Sequence, residues 1–290
     1  MFYSISFLNV HERRARIDRG VEGMTAEGKE NGSHRNRRRM TSLKLMISLL
    51  IALLIVPLAT AGVVAAPGDV VLVSSDAAGA QGNNGSAWQR ISSNGRYVVF
   101  HSTATNLVTP ATTGQQVFRK DLLTGEVRLV SADAAGAQGN AASTFPVISD
   151  DGRYVAFHSQ ATNLVTPATS GLQVFRKDLV TGEVKLCSAD AAGVQGNGAA
   201  TYIPDISSDG RYVSFTSEST NLVTPATSGR ELFSKDMLTG EVKLCSADAA
   251  GAESNLNNGY PSYSCDARYV SFFSNASNLI PGVTGTQIDR

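Results

Sequence analysis

From Asp69 onward the apolar residues come in short bursts separated by Gly, Asn, Asp and Ser, and the bursts are rich in β-branched and aromatic side chains. That composition predicts strands. Four follow one another: strand a ends at Ile91, strand b is RYVVF at Arg96, strand c is QVFRKDL at Gln116, and strand d is EVRLVS at Glu126. Asn94-Gly95 joins a to b, a dipeptide that accepts the positive φ angles of a tight hairpin. Thr124-Gly125 joins c to d.

The whole set then recurs. SSDAAGAQGN at Ser74 returns as SADAAGAQGN at Ser131, SADAAGVQGN at Ser188 and SADAAGAESN at Ser246, at offsets of 57, 57 and 58 residues. Arg-Tyr-Val stands at Arg96, Arg153, Arg211 and Arg268, and TGEV at Thr124, Thr181 and Thr239. In the last copy Asp266-Ala267 replaces the Gly-containing turn, so that hairpin is expected to be strained.

Four antiparallel strands repeated at this period are the signature of a propeller blade. The expectation is an all-β fold, a β-propeller of four-stranded antiparallel blades, with repeats near 68–124, 125–181, 182–239 and 240–290. The units resemble the TolB-type, WD-like repeats of bacterial exported proteins, whose pattern runs roughly SxDGRYVAFxSxATNLV, then VFxxDLxTG, then VSxDxxGxQGN. The resemblance covers nearly all of 68–290. It implies a propeller and leaves the function open, because such repeats serve scaffolds, partner-binding domains and enzyme accessory domains. The chain phase is out of step with the blades: DVVLVSSD at Asp69 is a lone strand d, and the last copy holds a, b and at most a remnant of c. The N-terminal strand is therefore expected to close the last blade, which would remove exposed edges. The alternatives are a fragment of a larger propeller, or a homodimer whose two chains complete an eight-bladed ring.

Charge changes the picture only at the N-terminus. Lys plus Arg equals Asp plus Glu at 25 each, but residues 1–44 hold ten basic and five acidic side chains. The mildly acidic remainder offers no stripe for phosphates, so no nucleic acid partner is expected. Leu45–Ala66 is uncharged and follows Arg37, Arg38, Arg39 and Lys44. It reads as a secretory signal after a basic extension, or as an uncleaved membrane anchor of 22 residues. Both readings export residues 67–290, to the periplasm, the cell surface or the medium. Cys187 and Cys245 stand where earlier copies carry Val73 and Val130, and read as small hydrophobes.

Any site is expected on the face carrying the long b-to-c and d-to-a loops. Near the start of strand a, at the central channel, stand Trp88, Phe145, Tyr202 and Tyr260, an aromatic rim able to stack on sugars or a partner side chain. Inter-blade packing accounts for the same positions, and Ile203 fits the register better than Tyr202. The recurrent Asp76, Asp133, Asp190 and Asp248 are expected in turns rather than on a metal. The Arg-Tyr pairs and Asp121, Asp178 and Asp236 are expected to knit blades together. No nucleophile motif, cofactor or metal site is evident, and His101 and His158 read as strand residues. The leading expectation is a non-catalytic module binding protein or carbohydrate at the bacterial cell envelope. The alternative is a propeller lactonase or glycan-active hydrolase drawing on symmetry-breaking acids such as Asp205 and Glu253.

Overall fold

A computed structural model describes residues 70–282 and the backbone of 287–289; the basic extension 1–44 and the signal or anchor segment 45–66 lie outside the described residues. The apolar bursts are strands. The first sheet holds β1 (Ser86–Ile91), β2 (Tyr97–Ser102), β3 (Gln116–Asp121) and β4 (Val127–Leu129) in that order. The second holds β5 (Ser143–Ile148), β6 (Tyr154–Ser159), β7 (Gln173–Asp178) and β8 (Val184–Leu186). The third holds β9 (Ala200–Ile206), β10 (Tyr212–Ser217), β11 (Glu231–Asp236) and β12 (Val242–Leu244). The last holds β13 (Asn258–Tyr263), β14 (Val270–Ser274) and β15 (Gln287–Asp289). Every pairing is antiparallel, so each sheet is one propeller blade, with β4, β8 and β12 falling just past the repeat boundaries expected near 124, 181 and 239.

Each blade shelters its neighbour. Val99 and Val117 of the first blade share a buried cluster with Val155, Phe157 and Phe175 of the second. Val147, Ala156 and Val174 of the second do the same with Val213, Phe215 and Phe233 of the third. Within each of these blades one phenylalanine from the second strand stacks on one from the third, with ring centroids 5.9, 6.1 and 5.8 Å apart. All six rings are fully buried, and each such burial contributes about 1.5–3 kcal/mol. Cys187 is buried in the cluster between the second and third blades, as its counterpart Val130 is in the cluster between the first and second.

Two expectations are corrected. Arg96–Asp121, Arg153–Asp178 and Arg211–Asp236 are paired at 2.7 Å, but inside one blade, because Tyr97, Tyr154 and Tyr212 lie directly opposite the three aspartates across the sheet. The joint between blades is made by other arginines. Arg119 Nη1 donates to the Gly152 carbonyl at 2.8 Å, and Arg176 Nη1 to that of Gly210 at 2.6 Å. The second correction concerns closure. Residues 70–73 join no sheet, and the last blade has three strands among the described residues, so no N-terminal strand completes it there. Val73 packs instead on Val98, Phe100 and Phe118 of the first blade.

Candidate functional site

The long loops spend their polar groups on one another. Asn83 donates from Nδ2 to Thr105 Oγ1 and accepts at Oδ1 from the Thr105 N–H, both at 2.8 Å, while Asn106 Oδ1 accepts the Asn83 N–H. The same ladder joins Asn140 to Thr162 and Asn163, Asn197 to Thr220 and Asn221, and Asn255 to Ser277 and Asn278. Asp76 Oδ1 accepts the N–H groups of Ala78 and Ala80, and Asp133, Asp190 and Asp248 repeat that turn. Glu253 pins a loop by accepting the Ser228 N–H at 2.8 Å. These residues are architecture.

The aromatic positions differ in kind. Trp88, Phe145, Tyr202 and Tyr260 have φ angles of 54°, 51°, 54° and 52°, in the left-handed region. Each sits at a β-bulge, where the pairing of the innermost strand with its neighbour shifts register. A bulge re-aims a side chain, and its left-handed residue is ordinarily glycine. A bulky residue there costs about 1–2 kcal/mol. Four such sites amount to about 4–8 kcal/mol, comparable to the net stability of a domain.

The rings meet in two pairs. Trp88 lies edge-on to Phe145 with centroids 4.9 Å apart, and Tyr202 is tilted against Tyr260 at 4.8 Å. Such contacts return only about 0.5–1.5 kcal/mol each. Trp88 is 46% exposed and Tyr260 59%, so burial does not offset the remainder. Phe145 is steadied by His101 and His158, edge-on at 5.9 and 6.0 Å. Burial holds both imidazoles down at about 4, so they are neutral at pH 7. Arg230 lies over the Tyr202 ring at 5.4 Å and is held by Glu218 at 2.8 Å. Ile203, favoured by register, is an extra residue of β9 that packs on the core, and Tyr202 takes the ring position.

Beside the rings lies a cavity of about 230 Å³ lined by Arg90, Val147, Asp205 and Ser262, one repeat-equivalent residue from each blade, together with Tyr260. It breaks the fourfold pattern chemically, with one cation and one carboxylate. Burial raises the Asp205 carboxyl above its ordinary value, opposed by the Tyr263 N–H, which donates to Oδ2 at 2.8 Å, and by Arg90. Two larger grooves, of about 450 and 510 Å³, are lined by equivalent Thr, Pro, Ala and Gly residues at successive blade junctions, and they carry no comparable asymmetry. The left-handed backbone under the aromatic residues has no sequence signal, because the glycine that would announce it is absent from all four copies.

No known family model and no curated protein matches the chain. Among solved structures it is similar to TolB from Acinetobacter baumannii, at 16% identity over 71% of this chain and 40% of that one, with a TM-score of 0.42. A putative TolB from Agrobacterium tumefaciens gives 16% identity over 77% and 66%, with a TM-score of 0.46. The β-propeller domain of the Trilobed protease from Pyrococcus furiosus gives 14% over 71% and 53%, with a TM-score of 0.42. The chain thus spans less than two thirds of each. Four successive antiparallel sheets pack one on the next, and on that ground the chain has a β-propeller fold.

Proposed function

We propose that this chain is an exported, non-catalytic scaffold of the bacterial cell envelope that binds a glycan across the rim formed by Trp88, Phe145, Tyr202 and Tyr260. The observation that carries the reading is the left-handed backbone beneath four exposed or half-exposed rings. Backbone strain of that kind concentrates where a surface is held ready for a ligand. Sugar rings stack on aromatic faces, and Arg90 and Asp205 beside them supply a donor and an acceptor for hydroxyl groups. The loop Asn and Thr side chains are engaged with one another, which leaves the rim as the free chemistry of that face.

The enzyme reading, a lactonase or glycan-active hydrolase, draws on Asp205, whose raised carboxyl suits a proton donor. Glycosidic hydrolysis uses two carboxyl groups, and the cavity lining holds one. Trp88 is the sole tryptophan of the chain, so its fluorescence reports on the rim directly. Titration of the full chain with a panel of bacterial and plant glycans is expected to shift that emission saturably for one class. No response to any glycan, with a response to an envelope protein instead, overturns the glycan assignment, and release of reducing ends overturns the non-catalytic one.

A further inference from the structure

The first two blade junctions contain the same joint. The ring of Tyr97 lies so close to Gly152 of the next blade that a Cβ there would stand 2.0 Å from it, and a Cβ on Gly210 would likewise stand 2.2 Å from the ring of Tyr154. The guanidinium of Arg119 lies over the Tyr97 ring at 4.3 Å, and that of Arg176 over Tyr154 at 4.5 Å. Gly152 and Gly210 are buried by this contact.

The two ends of the stack each present half of it. On the first blade Gly95, the counterpart of Gly152, is exposed with nothing within 4 Å of a Cβ, and Ile91 beside it is 43% exposed where Ile206 is buried. On the last blade Tyr269, the counterpart of Tyr97, is 60% exposed. Ser271 and Phe273 next to it are half-buried where Val99, Ala156 and Ser214, and His101, His158 and Thr216, are buried. Phe273 places an apolar ring at a position that is His or Thr in the other blades.

We propose that these two faces belong together in solution: Tyr269 and Phe273 of one copy dock on the Gly95 turn and Ile91 of a second copy, repeating between chains the joint that each chain makes within itself. The occupant is a second copy because its first blade carries the same turn glycine that Tyr97 and Tyr154 already recognise. The interface is head-to-tail, so it grows until the rotation closes it. Two copies joined at both ends make an eight-bladed ring.

The test uses the full chain in mild detergent, with mass measured by light scattering. At about 10 μM, above the dissociation constant of a standard-size interface, the protein is expected at the mass of two chains. Gly95→Asn keeps the left-handed turn, since Asn tolerates that region, and adds a side chain whose Cβ the incoming ring cannot accept. Tyr269→Ser removes the ring from the other face. Each variant alone is expected at the mass of one chain, with unchanged circular dichroism. Mixed in equal amounts they retain one intact pair of faces and are expected to recover the two-chain mass. A monomeric wild-type chain, association that survives both substitutions, or a mixture that stays monomeric overturns the proposal.

Discussion

At the scale of single residues, the turn after the first strand of each blade shows how one side chain decides a local conformation. Gly95, Gly152 and Gly210 take φ angles of 69°, 75° and 72°, and Ala267 is driven to 57° in the same turn. Ala267→Gly is therefore expected to stabilise the chain by about 1 kcal/mol, and Gly152→Ala, which also drives a Cβ into Tyr97, to destabilise it by more than about 2 kcal/mol. Urea unfolding midpoints check both. The strain at Ala267 was legible, because the missing glycine is visible beside three intact copies. The same strain under Trp88 was not, because no copy carries the contrast. His101 and His158 are held at about 4, below the unfolded value near 6.5. The unfolded chain then binds the extra protons, so stability is unaffected above about 6.5 and falls as the pH drops from there toward about 4. Burial opposes the charge on Asp121, but Arg96 and the N–H groups of Leu123 and Thr124 hold its carboxyl at about 2, so its contribution is lost at still lower pH. Phe273 already occupies the equivalent of His158, and His158→Phe is expected to flatten the upper part of the acid slope by roughly half, measured by unfolding between those pH values.

At the scale of elements, the three junctions are not alike. In the third, Ser234 replaces the arginine, Ala267 replaces the glycine, and Tyr263 stands where the other blades have isoleucine. The changes fit one another: the Tyr263 hydroxyl and Ser234 Oγ are 2.6 Å apart, and its ring lies 6.5 Å from Tyr212. Strand identity, hairpin position and the turn role of Asp76 were readable, since each is a local preference repeated four times. Partner choice was not. The Arg96–Asp121 pair needs the register of β2 against β3, and the Arg119–Gly152 joint needs the packing of one blade on the next. Among the described residues of the last blade, Phe272, Ala276 and Pro261 are buried apolar side chains, fewer than in the second. Local opening follows buried contact density. Amide hydrogen exchange of the Gly95→Asn chain is accordingly expected to be faster in β13 and β14 than in β6 and β7, and equal protection in the two blades contradicts that gradient.

At the scale of the whole molecule, one repeat too small to bury its own apolar faces becomes stable by stacking on copies of itself. That logic explains the phenylalanine layers and the arginine joints. It does not explain the rim, where exposed rings occupy costly backbone and recover little of that cost from contact. The account assigns that surface to binding, and the assignment is open to direct test. Unfolding of the full chain carrying both Trp88→Gly and Tyr260→Gly, followed in urea by far-ultraviolet circular dichroism, separates the two roles. Loss of ring contact and added chain entropy offset the relief of strain, so the account predicts stability within about 2 kcal/mol of the parent chain. Were the two rings core packing, their removal would cost about 3–5 kcal/mol each, and an unfolded or severely destabilised double variant would contradict the account.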